Sequence, residues 1–371
     1  MPLYLNEDQA MLRDTARDFM AAEGAIGTQL RHWRDIGCKD GFGHALWKQF
    51  AELGFTGILI DEADGGLGLG HVEAGIVLEE IGRNLTPSPF LISAVVLVEA
   101  LKGTKHRERW FPGILAGDIV AALAVDEGPK HRPEAIAMKA ERAGNGFRLS
   151  GRKQFVVQGA SADVIVVAAQ AAEGLTLFAV EKDAKGLETE GVRLADSSIG
   201  ARMDFRDVEV DADAVVGEVG QGQAILGRML NAGRAGAASE LVGIGSASMA
   251  MTVDYLKQRK QFGRLIGEFQ ALQHRAAHLY SELEIARAAA LKAQQLLDEG
   301  SAEAEAMVSV AKAKAGRASQ LAVQEGVQMH GGIGMTDEYD IGLYMKRDRA
   351  LNELFGDANY HADKLARMKG Y

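Results

Sequence analysis

With 371 residues, 47% of them hydrophobic and 25% charged, the chain is long enough for two or three packed regions and has the balance of an ordinary globular protein. A formal net charge of −10 argues against a phosphate-backbone binder, whose affinity needs clustered Lys and Arg, so no nucleic-acid partner is expected. One cysteine, Cys38, excludes an intramolecular disulfide and a thiolate metal cage. Residues 1–7 hold no basic stretch followed by an apolar run, and no apolar segment reaches the ~20 residues that span a bilayer. Neither a secretory signal nor a membrane segment is expected, and the expected location is the cytoplasm.

Three zones differ in pattern. Residues 1–118 read as helical: Asn6 is a candidate N-cap with Gln9 three positions on, and Leu12, Ala16, Phe19 and Met20 then share a face. Further helices fit Gly43–Leu53 and Val72–Gly82, before Pro87 and Pro89 impose an extended stretch. Residues 119–217 change period. Short β-prone runs at Ile119–Val125, Phe147–Val157, Val164–Ala168, Leu175–Val180 and Val208–Val210 alternate with turn dipeptides, which predicts a small antiparallel barrel or sandwich. Residues 218–371 return to helix, with four long stretches at about 222–256, 268–298, 302–329 and 337–368. The expected fold is therefore α+β and multidomain: an N-terminal helical domain, a middle β domain and a C-terminal four-helix bundle.

Three segments carry chemistry. Tyr255–His274 reads YLKQRKQFGRLIGEFQALQH: a basic helix end, a glycine stop, then a new helix near Glu268. A guanidinium there can pair bidentately with a diphosphate, although Arg259 and Lys260 alone would be an ordinary surface pair. Gln328–Thr336 contains Gly331-Gly332 and Gly334; without Cβ atoms, backbone can approach a ligand and line an anion-binding concavity, although a lone Gly-Gly is more often a helix stop. No partner pattern around His330 supports a metal role. Leu149–Val157 offers an aromatic followed by β-branched residues, either a flat apolar wall for a ring or an ordinary hairpin.

Taken together these segments resemble the acyl-CoA dehydrogenase family, through R-x-Q-F-G-x-x-I-x-x-F-Q-x-x-Q-H, Q-x-H-G-G-x-G-x-T-x-E and L-x-G-x-K-x-[FW]-[IV]. Supporting matches are Glu52-Leu53-Gly54-Phe55, Asp64–Gly68, Glu79–Arg83 and Gly233-Arg234, so the resemblance covers essentially the whole chain. It implies FAD-dependent α,β-dehydrogenation of an acyl-CoA thioester, with electrons passed to an electron-accepting flavoprotein. It also implies a cofactor shared between subunits of a dimer or tetramer. Arg259, with Gln261 and Phe262, would reach the FAD pyrophosphate of a neighbouring subunit, with Phe269 and Gln270 nearby. Gln328, Gly331 and Gly332 would meet the adenine half. Phe155, Val156 and Val157 would lie against the flavin ring, and Arg234 near the CoA thioester.

The pattern breaks at the catalytic base. Family members remove the substrate α-proton with a glutamate in a Y-E-G-T loop shortly after an R-D pair. Here Arg347-Asp348 is followed by Leu354-Phe355-Gly356-Asp357, and the base position falls on Gly356. A minority place the base directly before the arginine matching Arg234, which is Gly233 here. The remaining readings are a displaced base at Asp357, a base at Glu353 or elsewhere, and a heterotetramer in which a paralogous subunit brings the glutamate, as in dehydrogenases of steroid-type thioesters. A relative using reduced flavin for oxygen chemistry stays open too. The flavin loop that usually reads T-E-P-G-A-G-S-D is replaced by Asp126–His131.

Overall fold

The structure is a computed structural model and describes residues 3–371. In chain order the first helices are α1 (Glu7–Ala22), α2 (His32–Asp35), α3 (His44–Glu52), α4 (His71–Asn84), α5 (Leu97–Leu101) and α6 (His106–Leu115). Strands follow: β1 (Ala121–Ala124), β2 (Lys139–Ala143), β3 (Gly146–Val157), β4 (Val164–Ala171), β5 (Gly174–Glu181), β6 (Leu187–Arg193), β7 (Ile199–Val210) and β8 (Val215–Val216). Then come α7 (Gly222–Gln258), a short hairpin of β9 (Lys260–Gln261) and β10 (Arg264–Leu265), α8 (Gln270–Asp298), α9 (Ala304–His330), α10 (Ile341–Glu353) and α11 (Ala358–Met368). Among the described residues no helix is long and apolar enough to cross a membrane.

Contacts divide the chain into two units. One joins residues up to Arg31 with His71–Thr86 and Arg234–Tyr371; the other is His32–Gly70 with Pro87–Gly233.

In the first unit α1 opens on the expected capping box: the Gln9 N–H donates to Asn6 Oδ1 at 2.8 Å, and the Asn6 N–H donates to Gln9 Oε1 at 3.0 Å. The N-terminus of α4 is capped from far along the chain, where the Asp298 carboxylate accepts from the His71 and Val72 N–H groups at 2.6 and 3.3 Å. α4 crosses α7 at backbone distance. A Cβ on Gly82 would stand 2.1 Å from the Glu240 carbonyl oxygen, and one on Gly243 would stand 2.0 Å from the Glu79 carbonyl oxygen, so only glycine fits at either position. Arg287 of α8 closes this crossing, binding Glu79 at 3.0 Å and the Ser246 hydroxyl at 2.8 Å.

The expected fourth long helix at 337–368 is instead two, α10 and α11. The chain breaks because Phe355 and Gly356 adopt positive φ (60° and 102°), and Asp357 then caps a new helix by accepting from the Tyr360 N–H at 2.7 Å.

In the second unit all eight strands join one hydrogen-bonded sheet, ordered β6-β7-β3-β2-β4-β5-β8 with β1 alongside β4. It is mixed rather than antiparallel: β1 pairs with β4 in parallel, Ala121 opposite Val164, and Lys139 of β2 pairs in parallel with Gln170. Each residue of β1 is buried, as expected for a strand covered on both faces. The core stacks Phe147 edge-on to Phe178 (5.1 Å), with Val156, Met203, Phe205 and Val208 around them.

Candidate functional site

The hairpin β9–β10 carries the Arg259 motif out from the end of α7. Its tip, Phe262-Gly263, has positive φ at both residues (52° and 79°), the geometry that matches the twist of a tight hairpin. Phe262 is 92% exposed, and Arg259, Gln261 and Gln270 are exposed as well. The helix expected near Glu268 begins at Gln270, with half-buried Phe269 as its N-cap residue and the Arg264 guanidinium 4.1 Å from the Phe269 ring centroid.

The glycine motif lies at the end of α9. Gly331 has φ 64° and ψ −138°, a conformation that favours glycine, and terminates the helix. A Cβ on Gly331 or on Gly332 would meet nothing within 4 Å, so the bare backbone at Gly332 is not demanded by packing within the chain. Gln328 is exposed on the preceding turn. The two motifs are joined directly: the Tyr255 ring stacks on His330 with centroids 4.5 Å apart. His330 is buried, its Nδ1 donates to the Gly326 carbonyl at 2.7 Å, and burial lowers its pKa against the raising effect of that hydrogen bond. It therefore stands as a neutral ring that braces the loop. Among the described residues no cluster of His, Cys, Asp and Glu suits a metal ion.

The third motif lies in the other unit, at the end of β3. The pairing of β3 with β7 slips between Lys153 and Val156, and Phe155 sits in the bulge at φ 53°, turned outward and 54% exposed. Val156 is 1% exposed and belongs to the sheet core. The expectation that Phe155, Val156 and Val157 form one flat wall is corrected: neighbouring strand residues alternate faces, so Val156 can offer a ligand only its backbone. Val157 is half-buried.

Lys153, in the same strand, is wholly buried. Its ammonium donates to the Val125 carbonyl at 3.0 Å and to Glu127 Oε1 at 2.7 Å. Glu127 also accepts from the Ala137 and Met138 N–H groups at 2.9 and 3.0 Å, and Asp126 is 3.0 Å from His131 Nδ1. The atypical Asp126–His131 stretch is thus held by its own side chains. Burial pushes the Glu127 carboxyl up, but Lys153 and the two N–H groups outweigh it and leave it below the usual range; burial lowers the Lys153 ammonium.

Around the base position the chain is densely wired. Arg234 is 2% exposed; its Nε donates to the Phe355 carbonyl and its Nη2 to the Tyr360 hydroxyl, both at 3.1 Å. The resemblance places Arg234 near the CoA thioester; within the unit it also grips the loop after α10. Lys312, in the Ala-rich α9, is buried and donates to the carbonyls of Leu351, Asn352 and Gly356 at 3.0 to 3.2 Å. Burial, with Arg234 adding to it, lowers the Lys312 pKa to about 7. Asp348 is buried beside it and raised to about 6 by desolvation, against hydrogen bonds from Ser319 and Asn352. Arg347 binds Glu240 at 2.5 Å. Glu353 is exposed, and Asp357 is occupied as a helix cap. Neither Lys312 nor Tyr360 was singled out from sequence, because an isolated lysine in an Ala-rich helix and a tyrosine in a polar one carry no motif.

Comparison with known proteins agrees with this geometry. Family models described as the N-terminal, middle and C-terminal domains of acyl-CoA dehydrogenase match residues 6–118, 124–210 and 220–369 in that order. The mitochondrial isovaleryl-CoA dehydrogenase of Solanum tuberosum is 32% identical over 327 residues, which are 83% of this chain and 78% of that protein. An acyl-CoA dehydrogenase from Geobacillus kaustophilus has a similar structure, with a TM-score of 0.90 at 25% identity over 99% of both chains. A variant of the Tcur3481-Tcur3483 steroid ACAD gives a TM-score of 0.87 at 27% identity over 98% of both chains. With all three family models matched in chain order and relatives aligned along most of its length, the chain belongs to the acyl-CoA dehydrogenase family.

Proposed function

We propose that this chain takes part in FAD-dependent α,β-dehydrogenation of an acyl-CoA thioester. In this reading Arg259, Gln261, Phe262, Phe269, Gln270, Gln328, Gly331 and Gly332 hold part of the FAD of a neighbouring subunit, and Phe155 with Val157 meets the flavin ring of the chain's own FAD. One observation carries the reading: the Tyr255–His330 stack joins the hairpin of Arg259 to the bare backbone of Gly331-Gly332, and both are exposed. A guanidinium beside open backbone suits a diphosphate, which favours FAD over a mononucleotide flavin. Bound flavin supplies the acceptor for the substrate's β-hydride. The chain's own residues hold and orient: Arg234 and Lys312 fix the loop after α10, and the outward Phe155 offers a ring face.

The glycine at position 356 and the capping role of Asp357 favour an assembly in which this chain works beside a homologous subunit that carries the base. Similarity to a steroid ACAD supports a bulky, ring-bearing acyl group as one substrate class to test. Purified protein is expected to be yellow, with released FAD and the mass of a dimer or larger assembly. Anaerobic mixing with branched, long-chain and steroid-type acyl-CoA thioesters, with and without the homologous subunit, should bleach the flavin. A flavin-free monomer at micromolar concentration would sink the reading. Rapid reoxidation by oxygen with thioester bound would redirect it to oxygen chemistry.

A further inference from the structure

The base position differs from that of a working dehydrogenase by more than one missing carboxylate. A Cβ built on Gly356 would lie 2.3 Å from Cδ1 of Tyr360 and 2.9 Å from its Cε1 and Cγ, well inside contact distance of the ring's edge. A flexible side-chain end could move aside from such a contact. Tyr360 is not one, because it is fixed at several points.

Its N–H is held by Asp357 Oδ1 at 2.7 Å, and its hydroxyl receives the Arg234 Nη2 hydrogen bond at 3.1 Å. Its ring faces the Arg234 guanidinium, 5.4 Å from centroid, and meets His361 edge-on at 5.1 Å. The backbone around Gly356 is pinned as well: the Phe355 carbonyl accepts from Arg234 Nε, and the Gly356 carbonyl accepts from the buried Lys312. With φ at 102°, residue 356 also sits where a side chain is strained whatever room exists.

We propose that Tyr360 fills the space a base side chain on residue 356 would need, and that the proton acceptor for dehydrogenation lies off the 354–357 loop. Tyr360 acts as a positioning residue. By holding Arg234 and closing over Gly356 it fixes the loop in a shape that presents no carboxylate, since Asp357 is turned back to cap α11. The reaction would keep its balance with flavin bound: as the C=C bond forms, the α-proton would pass to a carboxylate off this loop, and flavin would supply the acceptor for the β-hydride. Loss of the base is thereby built into the packing, and restoring it takes two changes.

This inference rests on the acyl-CoA dehydrogenase reading above, so its test has an arm that does not depend on activity. Gly356→Glu, Tyr360→Ala and the double variant Gly356→Glu/Tyr360→Ala are melted as holoproteins. Gly356→Glu should melt several degrees below the parent, and adding Tyr360→Ala to it should raise the midpoint, although Tyr360→Ala alone lowers it. A double variant no more stable than Gly356→Glu, or a Gly356→Glu protein as stable as the parent, overturns the packing claim. In the second arm Asp357→Asn is mixed with acyl-CoA beside the parent, alone and with the homologous subunit. Unchanged flavin bleaching supports the inference, whereas a loss of 100-fold or more with FAD still bound overturns it. A protein whose flavin responds to no thioester in either setting removes the activity reading and leaves the melting arm to decide the role of Tyr360.

Discussion

The Tyr255 ring lies stacked on the His330 imidazole, and that contact ties the end of α7, from which the hairpin of Arg259 leaves, to the end of α9, where Gly331-Gly332 begins. Tyr339 packs on the other ring contact of His330, at 4.8 Å, so the brace has depth. The surface beyond it is exposed cation, exposed aromatic and uncovered backbone.

Arg259→Ala is therefore expected to cost flavin and spare the fold. Its side chain makes no ion pair among the described residues, so the melt of the apoprotein should stay within about 0.5 kcal/mol of the parent. Losing a charge-assisted contact to the diphosphate should weaken FAD retention by about 2 kcal/mol, roughly thirtyfold. Flavin content after gel filtration, read beside a thermal melt, separates the two effects. Unchanged retention would remove Arg259 from the cofactor site.

Lys153→Met should be among the most damaging substitutions in the sheet unit. It leaves the Glu127 carboxylate without its cation while the bulge that exposes Phe155 loses its anchor two residues away. Breaking such a pair costs about 3–5 kcal/mol. The double variant Lys153→Met/Glu127→Gln should recover much of that loss. A double variant that melts no higher than Lys153→Met would show that the pair is not what holds the segment.

Asp348→Asn should change how stability depends on pH. The folded carboxyl is raised to about 6, above the usual carboxylate range, so between about pH 4 and 6 the folded state holds a proton that the unfolded chain has released. Stability from this group is therefore present below pH 4 and is lost as pH rises through 6. The variant should match the parent near pH 4 and gain on it by up to about 3 kcal/mol at pH 7, at ~1.4 kcal/mol per pH unit. Urea midpoints across that range provide the check, and a difference independent of pH would contradict the burial argument.

Gly82→Ala should destabilise by about 1–3 kcal/mol or more, because its methyl group would meet the Glu240 carbonyl at 2.1 Å and force α4 from α7. Melting temperature alone tests this. Parent-like stability would mean that the crossing is looser than the structure shows.

The features legible in sequence were those that depend on special residues at fixed spacing. The Asn6–Gln9 cap and the Gly331 stop announce themselves by residue type, and long stretches rich in helix-forming residues marked α7, α8 and α9, whereas Gly263, read as a helix stop, turns a short hairpin instead. Strand β6 was missed because LETEGVR has almost no buried residue and pairs only at the sheet edge. The parallel partner of β1 was missed because apolar runs do not declare their direction. The helix break at 354–357 was not drawn because Leu-Phe continues the helical pattern of α10, while Arg234 and Lys312, distant in sequence, bond the carbonyls of Phe355 and Gly356. Val156 was grouped with Phe155 and Val157 although neighbouring strand residues alternate faces, and it packs into the sheet core.

The glycine crossing also bears on how the molecule is made. Gly82 belongs to the first quarter of the chain, yet the carbonyl it rests against belongs to Glu240, and the carboxylate capping the start of α4 belongs to Asp298. At about 5–20 residues per second a ribosome needs roughly eight to thirty seconds to travel from codon 82 to codon 240. For that interval α4 has α1 beside it but not α7 or α8, and its first N–H groups stay open. Truncation before α7 would leave that side of α4 without its partner permanently, and truncation before Asp298 would leave the start of α4 without its cap.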